Sequence, residues 1–187
     1  RLDPVRKTVI REGIDSVINS ADYHAIELAM QLKETQGGTV TLISMGPPSA
    51  EKQLREGLSY GCDDAYLISD RKFGGADSLA TSYTLAKAVE KTGPFDLVLL
   101  GSISEDGATA HVPSQLGEML GLPHITDVIA FKVDNDTTVS VKKEAGRAVY
   151  EYQVALPAVL GVDRRLNKVR HPNVMGIFSA KKKPLIT

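Results

Sequence analysis

A loop of small and polar residues at positions 101–112 carries the strongest chemical signal in this sequence. The apolar run from Phe95 to Leu100 before it is typical of a buried strand, and the segment after it, ending near Leu120, is typical of a helix. Glycines let a backbone approach a ligand closely, and a helix start offers unpaired N–H groups and a positive dipole end. The pattern therefore predicts a site for the phosphate of a nucleotide. Its residues are Gly101, Ser102, Ile103, Ser104, Glu105, Asp106, Gly107, Ala108, Thr109, Ala110, His111 and Val112.

Other chemistries find little support. The loop matches neither the glycine-rich dinucleotide fingerprint nor the phosphate loop of ATPases, which disfavours hydride transfer and kinase-type reactions. No serine lies in a G-x-S-x-G turn, and the histidines lack metal-binding helical spacing, so we expect no catalytic residues and no metal site. His111 has two open interpretations, a donor to the phosphate or a partly exposed helix residue. Asp106 would repel a phosphate unless it caps the helix or accepts a hydrogen bond from a ribose hydroxyl.

The composition is that of an ordinary globular domain. The chain has 187 residues, of which 42% are apolar and 24% charged. A net charge of -1 and the lack of tryptophan give no reason to expect nucleic acid or an acidic membrane surface as a partner. Cys62 is the only cysteine, which excludes a disulfide within the chain. No apolar run approaches membrane-spanning length, and no apolar signal region follows Arg1.

Strands and helices alternate around the loop. Strands are predicted over 39–45, 65–68 and 95–100, and the first helix over 21–34, capped by Asn19 and Ser20. Ser49 is the predicted cap of the second helix, and Asp77 or Ser78 that of the third, which has Leu79, Tyr83, Ala86 and Val89 on one face. The fourth helix begins at Asp106 or as late as Val112. This alternation predicts a parallel sheet covered on both faces. Ligands of such sheets lie beyond the carboxyl ends of the strands.

The rhythm changes after Ile125. Strands are predicted over 128–133, 137–143, 149–155 and 158–162, with a hairpin turn at 134–136. The predicted fold is α/β, a doubly wound, mostly parallel sheet with a β-rich excursion near residues 128–155. We expect a nucleotide-binding domain over 1–163 and a basic tail over 164–187 that contacts a partner, although a lysine run such as Lys181–Lys183 is most often solvated surface.

Several segments match one known family when they are taken together. They are Asn19–Asp22, residues 42–47, residues 67–82, the loop positions Asp106, Gly107, Thr109, Ala110 and Val112, and residues 166–184. With these motifs the chain resembles the beta subunit of electron transfer flavoprotein, and residues 67–82 are the most specific match.

The resemblance implies an adenine-nucleotide-binding domain of the alpha-hydrolase-like type. Such a subunit pairs with an alpha subunit that carries the redox flavin, and it holds AMP in one branch of the family and a second FAD in the electron-bifurcating branch. By position, the ligand contacts fall on Asn19, Ser20, Ala21, Asp22, Met45 and the loop 101–112. The segment from Arg170 to Ala180 resembles the loop by which the family docks flavin-dependent dehydrogenases, such as acyl-CoA dehydrogenases. The location would be the cytoplasm in a bacterium or the mitochondrial matrix in a eukaryote.

Departures from the family pattern leave the identity of the nucleotide open. Ser102 and Ile103 stand where a basic residue and a glutamine are frequent, while Ala108 and His111 replace an acidic residue and a glutamine. The family also has a strand before Arg1 and an arm after Thr187, so we expect a partner or a further segment to cover the sheet neighbour left exposed. Two other hypotheses remain, a stand-alone adenine-nucleotide-binding regulator without a redox role and an α/β domain with an empty cleft. The tail argues against the regulator.

Overall fold

The computed structural model describes residues 16–187, in which helices and strands alternate up to residue 120. The helices are α1 (Ser20–Gln36), α2 (Glu51–Ser59), α3 (Ser78–Thr92), α4 (Val112–Leu120) and α5 (Val174–Ala180). The strands are β1 (Thr41–Met45), β2 (Asp64–Ile68), β3 (Leu97–Gly101), β4 (His124–Asn135), β5 (Thr138–Ala145), β6 (Ala148–Ala155), β7 (Ala158–Val162) and β8 (Leu185–Ile186). The expectations about the start of the chain lie outside the described residues.

The described strands form two sheets. One is parallel with the order β1-β2-β8, and the other has the order β3-β7-β4-β5-β6 and changes from parallel to antiparallel at β4. The α/β class is confirmed, and the β-rich excursion consists of the hairpins β4–β5 and β5–β6. Residues 16–187 do not form the single sheet that was predicted. One neighbour of β2 is the short strand β8, formed by residues near position 185. The residue pattern within a strand does not indicate which other strand pairs with it.

Helices cover both faces of the β3–β7 pair, as the alternation predicted. Leu28 of α1 packs in one cluster with Leu99 and Val162. Leu116 of α4 packs in another cluster with Val98 of β3 and Val159 of β7. These two valines lie on the opposite face of the sheet from Leu99 and Val162, because side chains alternate along a strand. All five residues of β7 are buried. The end of β3, where the loop begins, is therefore held by apolar contacts from two sides.

The capping residues in the sequence predicted some helix starts correctly and others wrongly. Asp77 caps α3 as predicted, because its carboxylate accepts a hydrogen bond from an amide in the first turn at 2.8 Å. Helix α4 begins at Val112 with Pro113 in its first turn, the later of the two predicted starts. The prediction that Ser49 caps α2 is wrong, since Ser49 lies inside a 3₁₀ turn (Pro48–Ala50) before that helix.

The predicted apolar face of α3 is only partly buried. Leu79 and Tyr83 are 55% and 58% exposed, whereas Ala86 is buried. Buried Ser82 also faces the protein interior and donates a hydrogen bond to Gln115 of α4 at 3.0 Å. The contact with α4 thus selects a face of α3 that apolar spacing alone did not identify.

The basic tail folds back onto the body of the protein. Lys183 donates hydrogen bonds to the carbonyl of Leu58, at 3.3 Å, and to that of Cys62. Arg55 of α2 donates to the carbonyls of Ala180 and Lys183 at 3.0 and 2.6 Å. Lys183 therefore binds carbonyls at the carboxyl end of α2. The interpretation of the lysine run as solvated surface is therefore correct for Lys181 and Lys182, which are exposed, but not for Lys183.

Arg170 fastens the tail to α1 through a buried carboxylate. Its Nε donates to Glu27 Oε2 at 2.8 Å, and its guanidinium also pairs with Glu34. The side chain of Glu27 is only 5% exposed. Burial by itself raises the pKa of Glu27, but hydrogen bonds from Arg170 and Gln31 and the charge of Arg170 outweigh burial and hold that pKa below its usual range.

Glu27→Gln should lower the free energy of unfolding at neutral pH by about 1–3 kcal/mol, because Arg170 loses a charged acceptor. The folded pKa of Glu27 lies below its unfolded value of about 4.3, so its contribution is present above that pH and disappears as the pH falls further. Urea unfolding between about pH 7 and pH 3 should therefore show a flatter profile in the variant than in the wild type. Glu90→Gln, in the exposed pair with Lys87, is the control. Parallel profiles for wild type and Glu27→Gln would contradict the assignment.

Candidate nucleotide-binding site

The amino end of α1 lies directly against the carboxyl end of β3. A Cβ atom added to Gly101 would lie 2.7 Å from the Cβ of Ala21 and 3.1 Å from its carbonyl carbon. Glycine is therefore required here for close approach, not for an unusual φ. Ala21 is 1% exposed, so this predicted site residue lies inside the contact between α1 and β3.

Two side chains from the start of α1 bind the main chain of the loop. Asp22 Oδ1 accepts a hydrogen bond from the amide of Gly101 at 2.6 Å. Asn19 Nδ2 donates to the carbonyl of Ile103 at 3.0 Å, and Asn19 Oδ1 accepts from the amide of Glu105 at 3.2 Å. Asn19 precedes α1 as predicted, but its side chain makes no capping hydrogen bond. The structure thus brings these two predicted site residues to the loop as its supports.

The outer part of the loop leaves main-chain donors unpaired. Residues 103–111 are all exposed. Within the described part of the chain, no acceptor receives a hydrogen bond from the amides of Thr109, Ala110 or His111. These amides directly precede the first turn of α4, where the helix dipole is positive. Three consecutive amides in exposed residues of the loop therefore have no acceptor among residues 16–187.

Two alanines carry the unusual backbone of this loop. Ala108 has φ 49° and Ala110 has φ 55°, in the left-handed region that favours glycine. The amide of Ala108 closes the preceding turn by donating to the carbonyl of Ser104 at 3.0 Å. Left-handed backbone costs a non-glycine residue about 1–2 kcal/mol, and such strain clusters at ligand sites. Neither Gly101 nor Gly107 has a positive φ.

Asp127 supports the base of the loop and was not identified from the sequence. Ser102 is 4% exposed, and its amide donates to the carbonyl of Val162 at 2.9 Å. Its Oγ accepts a hydrogen bond from the amide of Asp127 at 2.8 Å. Asp127 has φ 59° and lies at an irregularity in the pairing of β4 with β7. No local signal marks this contact, because the two residues are 25 positions apart.

The structure places His111 beside the start of α3 and Met45 in the other sheet. His111 Nδ1 is 3.3 Å from Ser78 Oγ at the start of α3, a second contact that the sequence did not indicate. The geometry gives an exposed histidine with a polar neighbour, and donation to a phosphate stays a prediction. Met45 ends β1 in the other sheet, and α3 contacts both β1 and α4.

Acidic side chains lie at the centre of the loop. Glu105 Oε1 accepts a hydrogen bond from Ser20 Oγ at 2.6 Å and lies 3.3 Å from Arg164 Nη2. Asp106 Oδ1 accepts from the amide of Gly107 at 2.7 Å. Asp106 does not cap α4, which was one of its predicted roles, because that helix begins at Val112, six positions later. Arg164, the third residue that the sequence did not indicate, provides positive charge beside the loop.

The arrangement can bind an anion through main-chain amides. Within residues 16–187, no group of three or more histidine, cysteine, aspartate or glutamate side chains could hold a metal ion. In the same range, no helix is long and apolar enough to cross a membrane. Fold and site together define an α/β protein with an exposed loop, held by the start of α1, at the carboxyl edge of two parallel strands.

Comparisons with known proteins identify the family. Residues 7–187 match the electron transfer flavoprotein domain. The chain is 44% identical over 184 residues to the electron transfer flavoprotein subunit beta of Thermoanaerobacterium thermosaccharolyticum, which covers 98% of this chain and 70% of the relative. It is 45% identical over 182 residues to the subunit of the same name from Clostridium acetobutylicum, with 96% and 69% covered. It is 43% identical over 187 residues to the caffeyl-CoA reductase-Etf complex subunit CarD of Acetobacterium woodii, with 99% and 71% covered.

The chain belongs to the electron transfer flavoprotein beta subunit family. This confirms the resemblance and supports an electron transfer role. The stand-alone regulator finds no support among these relatives.

Gly101→Ala should lower the free energy of unfolding by about 1–3 kcal/mol, because the added Cβ overlaps α1. Gly107→Ala is the matched control, since among the described residues beyond its chain neighbours only Ser104 Oγ, at 3.3 Å, lies near its Cβ position. Urea unfolding of both variants measures the difference. Equal losses would mean that α1 does not approach β3 as described.

Proposed function

We propose that this beta subunit binds an adenine nucleotide, FAD or AMP, at the loop 101–112 and forms a heterodimer with an alpha subunit that carries the redox flavin. The observation that carries the proposal is the row of unpaired amides from Thr109 to His111 at the amino end of α4. Amides in this setting bind phosphate through their N–H groups and through the helix dipole. We assign the fold to the adenine-nucleotide alpha-hydrolase-like type on the same grounds.

The residues present fit a nucleotide phosphate. Residues 103–111 are exposed, which supports access of a ligand to this part of the loop. Asn19 and Asp22 hold the main chain of the loop in place, and Ser20 holds Glu105. Ser104 and Thr109 add hydroxyl groups next to the amides. Ala21 and Met45 stay predicted site residues, the first through its contact with Gly101 and the second at the end of β1.

In this role the chain needs no acid or base of its own. A bound flavin supplies electron transfer, and the protein supplies binding and orientation. The chain is therefore a carrier subunit, with AMP as a structural ligand or with a second FAD in an electron-bifurcating complex. The relative CarD is named as a subunit of a reductase complex, which supports the proposal that this chain acts as one subunit of a larger assembly.

The partners follow from the two parts of the chain, a nucleotide-binding domain over 1–163 and a partner-contacting tail over 164–187. Helix α5 in the tail exposes four apolar side chains. These are Val174, Met175, Ile177 and Phe178, at 67%, 77%, 48% and 62% exposure. A flavin-dependent dehydrogenase, such as an acyl-CoA dehydrogenase, would cover this patch. The named relatives are bacterial, which supports a cytoplasmic location over a mitochondrial one.

The nucleotide can be identified directly. The chain is purified with and without a candidate alpha subunit, denatured, and the released ligand is identified by absorbance and chromatography. If the chain belongs to an electron-bifurcating complex, FAD should be released from this chain alone. If the nucleotide is a structural ligand, AMP should be released. ATP without any flavin partner, or no nucleotide under either condition, would contradict the proposal.

Gly107→Val should abolish nucleotide binding and leave the fold intact. Apart from the two chain neighbours, Ser104 Oγ is the one atom of residues 16–187 within 4 Å of the Cβ position, so we expect the branched side chain to extend beside the amides rather than into the protein. Equilibrium dialysis with AMP measures binding, and thermal unfolding measures the fold. Gly107→Ala should retain more binding than Gly107→Val. Wild-type affinity in the valine variant would place the site elsewhere.

A further inference from the structure

The loop that we propose to bind phosphate has the wrong charge for that task. Glu105 and Asp106 are both acidic, and the loop contains no lysine or arginine. Carboxylates this close to a bound phosphate would repel it, since like charges within a few ångströms disfavour each other. A cation from another part of the chain would offset this repulsion and strengthen the binding by the amides.

The turn after β7 provides that cation. Gly101 and Val162 are register partners in adjacent parallel strands, so the chain leaves both strands at the same edge. A turn closed by a 3.1 Å hydrogen bond from Leu166 N to the carbonyl of Asp163 follows β7 and contains Arg164. The Nη2 atom of Arg164 lies 3.3 Å from Glu105 Oε1, which places the guanidinium beside the loop.

The next arginine in the same turn has a different environment. Arg165 Nε donates to Asp163 Oδ1 at 2.8 Å, and its guanidinium also pairs with Glu144, so two carboxylates hold it. Among the described residues, Arg164 forms an ion pair only with Glu105, and these two side chains are 54% and 53% exposed. Of the two arginines, Arg164 is the one that can turn to a ligand.

Exchange of Glu105 for a phosphate is energetically favourable for Arg164. An ion pair between two half-exposed side chains contributes little free energy. A guanidinium and a phosphate form two parallel charge-assisted hydrogen bonds, which are among the strongest contacts of this kind. Ser20 Oγ already donates to the same Oε1 of Glu105 at 2.6 Å, so the carboxylate keeps a partner when the arginine leaves.

We propose that Arg164 binds the phosphate of the nucleotide, and that Glu105 pairs with its guanidinium only in the absence of the nucleotide. The assignment rests on the proposed nucleotide site at the loop 101–112. The loop itself contains no lysine or arginine, and Arg164 would supply this positive charge.

The test measures AMP and adenosine binding to the full chain, co-expressed with a candidate alpha subunit and stripped of nucleotide. AMP carries the phosphate that both candidate cofactors share, and adenosine lacks it. Arg164→Ala should weaken AMP binding by roughly tenfold or more and leave adenosine binding unchanged. Arg165→Ala, the matched control in the same turn, should change neither affinity. Thermal unfolding of each variant checks the fold.

A double-mutant cycle tests the exchange with Glu105. Glu105→Gln should strengthen AMP binding, because it removes the competitor for Arg164. In the Arg164→Ala background the same substitution should have a smaller effect.

Arg164→Ala that binds AMP like the wild type, or that weakens AMP and adenosine equally, would overturn the assignment while the nucleotide site stands. A gain from Glu105→Gln that is equally large in both backgrounds would overturn the exchange. Failure of the wild type to bind AMP would overturn the proposed site itself and this assignment with it.

Discussion

The close approach of α1 to the end of β3 at Gly101 is the contact on which the rest of the site depends. The missing Cβ at Gly101 leaves room for Ala21, and this brings Asp22 within 2.6 Å of the amide of Gly101. A main-chain donor at a half-buried strand end must find an acceptor, and the carboxylate of Asp22 supplies one. With that amide satisfied, the chain can turn outward and leave the later amides of the loop free for a ligand. Asn19 stabilises the turn through two further main-chain contacts.

Helix α1 also connects the two regions to which we assign binding. Its amino end holds the loop, while His24 lies 2.9 Å from the side chain of Asn167, and Glu27 binds Arg170. A helix is stiff over these few turns, so the loop and the start of the tail share one support. The tail then continues to Lys183, which binds the end of α2. The tail is therefore held against the fold at several points as far as Lys183, and the exposed apolar side chains of α5 lie between these points.

The sequence predicted the elements better than their ends and neighbours. The strand and helix that flank the loop were identified because apolar runs and capping residues act over a few positions, as at Asp77. Ser49 failed as a cap because a proline-led 3₁₀ turn preceded the helix. The first hairpin turn lies at Asp136 and Thr137 rather than at 134–136, since β4 extends to Asn135. The pairing of β2 with β8 joins residues more than a hundred positions apart, and no local pattern carries that information.

By itself the sequence determined the α/β class, the position of the loop and, through its motifs, the family. Those features depend on hydrophobic periodicity, glycine placement and short signatures, all of which are local. Only the tertiary structure decided that Asn19 and Asp22 support the loop, that Asp127 holds Ser102, and that Arg164 stands beside Glu105. Each of those contacts joins residues brought together by sheet register and helix packing. Register and packing depend on the free energy of the whole fold, and for that reason no single segment of the sequence could reveal them.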